Sequence, residues 1–158
     1  MDAKKQNTSG ETADGDRKRT MDLLARATIN ELTAGWTALS PQPDVQMLRG
    51  PETGLVMVRG RIGGGGSPFN LGEATVSRAT VRLANGIVGF GQSLGTDREK
   101  ARLAAIFDAL WQQADTRDFV ETRLLSPIAA RIADEDRRRT EETAATRVDF
   151  FTMVRGED

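Results

Sequence analysis

The stretch RGRIGGGG, residues 59–66, is the part of the sequence whose residue types come closest to carrying chemistry. Consecutive glycine amides can form a concave nest for an anion, and arginine grips phosphate or carboxylate with a planar pair of N–H donors. Arg59 and Arg61 lie two residues apart and therefore point to the same side of a strand. Arg78 and Arg82 join them on one sheet face if the strand registers agree. The chemistry indicated here is the binding of an anion.

Two well-known phosphate-binding motifs do not fit this stretch. A Walker loop needs lysine and then serine or threonine after its last glycine, and a dinucleotide fingerprint needs a helix at that point. Ser67, Pro68 and Phe69 follow instead, ahead of a strand. A plain hairpin loop, beside arginines that meet solvent or a neighbouring subunit, therefore stays open as the alternative to anion binding.

Histidine, cysteine and tyrosine, which carry much of enzyme chemistry, are absent from the 158 residues. Without them the chain can build neither a serine–histidine nor a cysteine–histidine catalytic pair, nor a zinc site with nitrogen or sulfur ligands. We predict no metal site and no catalytic residue. Carboxylates, arginines, hydroxyls and backbone amides are the chemistry that remains.

The net charge and the hydropathy pattern limit the class of protein and the kinds of partner that are expected. The formal net charge is −1 and acids interleave with bases, so no nucleic-acid surface is predicted. No apolar run approaches the roughly 18 residues of a membrane span, and the N-terminus lacks the apolar segment of a secretory signal. We expect a cytoplasmic protein with no membrane partner.

Apolar periodicity predicts an α+β fold, with a central antiparallel sheet of about four or five strands flanked by helices. Residues 1–18 are polar without a period and are predicted to be a disordered tail, ahead of one domain over 19–158. One or two helices are expected across 19–39. The predicted strands are 45–48, 55–62, 73–83 and 87–94, with a turn at 49–54 and a hairpin turn at Asn85-Gly86.

Helices are predicted to follow the sheet. Thr96 and Glu99 have the spacing of a capping box, and Ser126 and Pro127 are typical of the start of the last helix. The apolar stripe of the first of these helices is formed by Leu103, Phe107, Leu110 and Trp111.

The C-terminal stretch VDFFTMV, residues 148–154, predicts a strand that is apolar on both faces. Such a strand needs cover on both faces, so it lies inside the sheet or inserts into a partner. We expect docking in a partner. The side chains proposed for this contact are Phe150, Phe151, Met153 and Val154.

Three stretches of the sequence together resemble one protein family. They are LRGPETGLVMVRGRIGGGGSPFNLGEATVSRATVRL at 48–83, LGTDREKA at 94–101 and RVDFFTMVRGED at 147–158. The family is PhnG, a subunit of the bacterial carbon–phosphorus lyase system. The resemblance extends from about residue 19 to the end of the chain.

The resemblance implies an accessory, non-catalytic subunit of a multi-protein enzyme in phosphonate catabolism. The step implied joins an alkylphosphonate to C1 of the ribose of ATP, releases adenine and gives ribose 1-(alkyl)phosphonate 5-triphosphate. It also implies PhnH-, PhnI-, PhnJ- and PhnL-type partners, with MgATP as co-substrate of the complex and no cofactor in this chain. The alternative is a stand-alone anion- or nucleotide-binding domain.

Contacts to substrate or to a partner are predicted at two arginines, two glutamates and three loop glycines. These residues are Arg49, Glu52, Arg61, Gly63, Gly64, Gly66 and Glu73. Plain structural roles remain open for the two acids, because Glu52 can hold a turn and Glu73 can pair with a strand arginine.

Overall fold

The computed structural model of the chain describes residues 8–145, which form a three-stranded antiparallel sheet and five α-helices. The elements in chain order are α1 Thr8–Arg26, α2 Ile29–Ala38, β1 Val45–Arg61, β2 Pro68–Leu83, β3 Val88–Leu94, α3 Arg98–Trp111, α4 Ala114–Val120 and α5 Ser126–Ala145. The strand order is β1-β2-β3. The predicted α+β class and antiparallel sheet are confirmed, but the described residues form three strands rather than four or five.

The strand count differs because β1 is one strand of 17 residues where the sequence predicts two. The turn expected at 49–54 is wrong. Its backbone stays extended opposite β2, with register shifts between Met47 and Arg49 and between Arg49 and Glu52. Pro51 is tolerated because β1 is an edge strand, where a missing N–H costs no ladder hydrogen bond. The predicted terminal strand at 148–154 lies outside the described residues.

The predicted hairpin between β2 and β3 is confirmed. Gly86 has a φ of 88°, in the left-handed region that glycine enters without strain, and its N–H donates to the carbonyl of Leu83. The N–H of Ile87 donates to the Asn85 side chain, which holds the turn.

Helix α3 packs across one face of the sheet, and the contact is made close by small residues. Gly89 and Gly91 of β3 face its backbone: a Cβ placed on Gly91 would come within 3 Å of the Ala101 carbonyl oxygen and the Ala105 nitrogen. The buried residues of this interface and of the predicted α3 stripe include Ala79, Val81, Leu83, Ala101, Leu103, Ala105, Phe107, Leu110 and Trp111. The opposite face, which carries Arg78 and Arg82, is exposed.

Helix α1 overlaps the predicted tail. It begins at Thr8, so residues 8–18 are helical; residues 1–7 lie outside the described residues, and the boundary between tail and domain stays a prediction. A long-range ion pair anchors α1. Arg17 Nη2 lies 2.8 Å from Oδ2 of the fully buried Asp108, which also accepts the Phe90 N–H at 2.8 Å. The pair ties α1 to α3 and β3.

Two predicted helix starts have different local chemistry from that expected. The N-cap of α3 is Asp97, whose side chain accepts the Lys100 N–H at 2.9 Å, and the capping box predicted at Thr96 is wrong. Ser126 does not cap a new helix, because α4 continues into α5 through a π-turn at Glu121–Leu125 and the Ser126 hydroxyl donates to the Glu121 carbonyl. The wider turn accommodates Pro127, which has no N–H to donate.

A capping box that was not predicted from the sequence lies at the N-terminus of α2, and a residue of α5 binds to it. Glu31 accepts the Thr28 N–H at 2.7 Å, Thr28 accepts the Glu31 N–H, and Arg131 donates to Glu31 at 2.7 Å. Partial burial alone raises the pKa of Glu31. Together, the hydrogen bonds from Arg131 and Thr28 lower the pKa by more than burial raises it, so the pKa of Glu31 lies below its usual 4.5.

We expect Glu31→Gln to lower the free energy of unfolding at pH 7 by about 1–2 kcal/mol, because a charge-assisted hydrogen bond is lost. A lowered folded-state pKa stabilises the fold above the unfolded-state value, and that contribution is lost as pH falls through the folded-state pKa. The difference between wild type and variant should therefore shrink below pH 4.5. Urea unfolding at several pH values measures this.

Glu141→Gln is the matched control for that series. Glu141 is 69% exposed and lies 3.9 Å from Arg137, so we expect its loss to change stability by less than about 0.5 kcal/mol. A Glu31→Gln profile that stays parallel to wild type at every pH would contradict the role given to the carboxylate.

Candidate functional site

A two-stranded hairpin arm, residues 55–75, extends beyond the three-stranded part of the sheet. β3 ends where Leu94 pairs with Val76, and from there β1 and β2 continue alone to the pair Arg61 and Pro68. At about 3.3 Å per residue, the arm is about 25 Å long. Among residues 8–145, no third strand covers either edge of the arm.

The arm exposes apolar side chains on both of its faces. In β1, Leu55 and Met57 point to one face and Val56 and Val58 point to the other. All four side chains are exposed. The large exposed apolar side chains of the arm are Leu55, Val56, Met57, Val58, Ile62, Phe69 and Leu71. An apolar surface of this kind marks a place where another molecule binds.

The glycine loop forms the tip of the arm and is closed by its own hydrogen bonds. Gly63 has a φ of 60°, and the N–H groups of Gly65 and Gly66 both donate to the Ile62 carbonyl. Arg61 donates to the Gly66 carbonyl at 3.2 Å. These two amides therefore point inward to a carbonyl rather than outward to a ligand, and anion contact at the loop stays a prediction.

A cluster of three charged side chains lies at the root of the arm, on the exposed face of the sheet. Glu52 Oε1 accepts from Arg49 Nη2 at 2.6 Å and from Arg78 Nε at 2.7 Å. The hydrogen bond from Arg78, and then that from Arg49, hold the pKa of Glu52 below its usual value. A carboxylate held ionised in this way is a weak base and a poor proton donor, so the cluster suits binding rather than proton transfer.

A cavity of about 230 Å³ adjoins this cluster. Arg49 and Arg78 form its basic wall, and Phe90 and Gln92 of β3 and Met21 of α1 line the rest. Each guanidinium keeps donors that Glu52 does not use, because arginine carries five N–H groups. The cavity can therefore accept an anion or an acidic side chain.

The sequence-predicted site residues fall into separate groups. Arg49 and Glu52 lie together at the root, and Arg61 with Gly63, Gly64 and Gly66 lies at the tip. Arg61 lies nine positions after Glu52 in β1, a distance of about 30 Å in a strand. Glu73 lies between them, opposite Met57, and forms no ion pair within the described part of the chain. The two groups do not form one site within this chain.

The strand registers also separate the arginines. Glu52 pairs with Arg78 and points to the same face, whereas Arg59 and Arg61, odd-numbered in the same strand, point to the opposite face. The condition for one shared arginine face is therefore not met. The predicted docking residues Phe150, Phe151, Met153 and Val154 lie outside the described residues.

Across residues 8–145, the structure holds no cluster of three or more histidine, cysteine, aspartate or glutamate residues placed to bind a metal ion. None of the helices described in this range has the length and hydropathy required to span a bilayer.

The sequence matches a known family over most of its length. The family model described as "Phosphonate metabolism protein PhnG" matches residues 15–156. The chain belongs to the PhnG family. A relative from Rhizobium meliloti (strain 1021), the "Alpha-D-ribose 1-methylphosphonate 5-triphosphate synthase subunit PhnG", is 65% identical over 158 residues, which cover 100% of this chain and 99% of the relative.

In this PhnG-family chain, the exposed apolar character of the arm was not predicted from the sequence. The signal was present, because LVMV at 55–58 is apolar at consecutive positions and PFNL at 68–71 follows the loop with two more large apolar residues. The role of Asp108, an acid within the apolar run AAIFDALW at 104–111, was not predicted either. A charged residue in a buried helix calls for a partner, and that partner is Arg17.

Proposed function

We propose that this chain is a subunit of an α-D-ribose 1-methylphosphonate 5-triphosphate synthase. The observation that carries the proposal is the 65% identity to a subunit of that name, over essentially the full length of both chains. The structure supports a role inside an assembly, because the arm presents apolar side chains that the chain itself leaves exposed.

The proposed role is accessory rather than catalytic. The sequence has no histidine, cysteine or tyrosine, and Glu52, which binds both arginines of the basic cavity, has a lowered pKa. The family resemblance adds PhnH-, PhnI-, PhnJ- and PhnL-type subunits as the proposed partners, in the cytoplasm. MgATP and the phosphonate are the proposed substrates of the complex, with adenine as the leaving group.

Reconstitution tests this proposal. The purified chain is mixed with the other synthase subunits, MgATP and methylphosphonate, and adenine release is followed by chromatography. We expect release from the full set of subunits and none from this chain alone. Omission of this chain should reduce release to background, because the assembly is then incomplete.

Two outcomes would overturn the accessory role. One is an undiminished rate when the chain is omitted, and the other is adenine release by the chain alone. Titration of the isolated chain with MgATP separates the alternative function, a stand-alone nucleotide-binding domain. That alternative would be favoured by a saturable heat of binding that Arg78→Ala loses. Arg137→Ala, on an exposed helix, is the control; if it keeps the heat, binding is assigned to the basic cavity.

A further inference from the structure

We propose that the hairpin arm, residues 55–75, is a docking element that is covered by a different polypeptide of the synthase. The partner surface is apolar, offers a free strand edge and carries acidic side chains where it meets the tip of the arm. This inference rests on the proposed function and adds to it the surface used and the chemistry of the partner.

The edge of β1 is protected at the root of the arm and open along the arm. At the root, Pro51, the charged pair Arg49 and Glu52, and two register shifts interrupt a regular edge. These are the usual devices that stop an edge strand from pairing with another chain. Residues 54–58, GLVMV, contain no charge and no proline, and their register with β2 is regular. An edge left open in this way is suited to strand addition by a partner.

Within residues 8–145, the arm also lacks the packing that would make it stable by itself. A two-stranded hairpin is marginally stable in water unless a third strand or a packed face supports it. Leu55 is 64% exposed and Leu71 is 66% exposed, so neither side chain contributes much burial to this chain. Burial of these side chains against a partner supplies the missing stabilisation.

Charge favours a different polypeptide over a second copy of this chain. The charged residues of the arm are Arg59, Arg61 and Glu73, so the arm is net positive and both arginines lie near the tip. Two arms brought together add positive charge to positive charge. An acidic surface on another subunit complements the arm instead.

The double variant Leu55→Glu with Leu71→Glu tests the docking. Both side chains are exposed in the isolated chain, so the variant should fold, which circular dichroism checks. Buried glutamates without partners are costly, so we expect capture of the tagged variant to recover about tenfold less of the other subunits than wild type. Leu94→Glu is the matched control: Leu94 is 75% exposed at the end of β3, outside the arm, and should give wild-type recovery.

A photo-crosslinking residue at position 71 provides an independent measurement. We expect a product with the mass of this chain plus another subunit, and none from the same residue at position 94. Reversal of both tip charges, Arg59→Glu with Arg61→Glu, should also lower recovery, because the complementary acids then repel the tip.

The outcomes separate the two proposals. If wild type recovers no other subunit, the proposed function fails and the docking inference fails with it. If wild type recovers the subunits and the Leu55→Glu, Leu71→Glu variant recovers as much, the docking inference alone fails. A third outcome would overturn the docking inference in favour of a second copy of this chain. In that outcome wild type forms a homodimer, the double variant does not, and the double variant still recovers the other subunits.

Discussion

Gly91→Ala is expected to lower the free energy of unfolding by about 3 kcal/mol or more, a large part of the total for a domain of this size. The added methyl group would lie within 3 Å of the Ala101 carbonyl oxygen and the Ala105 nitrogen. These are backbone atoms of α3 and cannot rotate away, so the helix and β3 must separate. Urea denaturation followed by circular dichroism measures the loss.

Gly72→Ala is the matched control for this prediction. Gly72 also lies within a strand, but beyond Gly72 itself and its two chain neighbours no atom lies within 4 Å of the position that its Cβ would take. We expect the free energy of unfolding of the Gly72→Ala variant to stay within about 0.5 kcal/mol of wild type. Equal stability of the Gly91 and Gly72 variants would show that α3 does not approach β3 as closely as described.

Arg17→Ala is expected to lower the free energy of unfolding by about 3–5 kcal/mol, because it leaves the carboxylate of Asp108 buried without its cation. The side chain of Asp108 is 0% exposed, and Arg17 meets both of its oxygens, at 2.8 and 3.1 Å. Arg17→Lys keeps the charge but loses the paired geometry, so its stability should lie between wild type and Arg17→Ala. Chemical denaturation of the three proteins measures the series.

Arg26→Ala provides the comparison for an exposed ion pair. Arg26 and Asp136 are each about half exposed and lie 3.2 Å apart, so we expect a loss of at most about 1 kcal/mol. Truncation of the chain before residue 19 tests the anchoring of α1 directly. If removal of residues 1–18 left stability unchanged, the anchoring role of Arg17 would be wrong.

Local rules predicted the elements whose chemistry is complete within a short stretch. The Asn85-Gly86 turn and the buried stripe at Leu103, Phe107, Leu110 and Trp111 were predictable because turn chemistry and helical period are properties of neighbouring residues. The cap of α3 was predicted wrongly at Thr96, because Thr96 and Asp97 are both good capping residues and the side chain of Asp97 makes the bond.

Errors arose where distant residues decide the local structure. The motif RGPETG has turn propensity, but β2 supplies a partner along this stretch, so pairing overrides propensity. Residues 8–18 lack an apolar period, and Arg17 among them pairs with a residue 91 positions away, a contact that no local pattern predicts. The separation of Glu52 from Arg61 follows from the length of β1, which no motif encodes. The assignment of the predicted contact residues to substrate or partner stays a prediction.

The two-stranded construction of the arm also makes it a reporter of assembly. Hydrogen bonds between β1 and β2 beyond Val76 can open without disturbing α3 or the buried core, so their amide protons should exchange with deuterium sooner than those of β3. A partner that covers the arm would slow this exchange at residues 55–61 and 68–75 while the rest of the fold keeps its rates. The order in which subunits join could then be followed in time from one stretch of backbone.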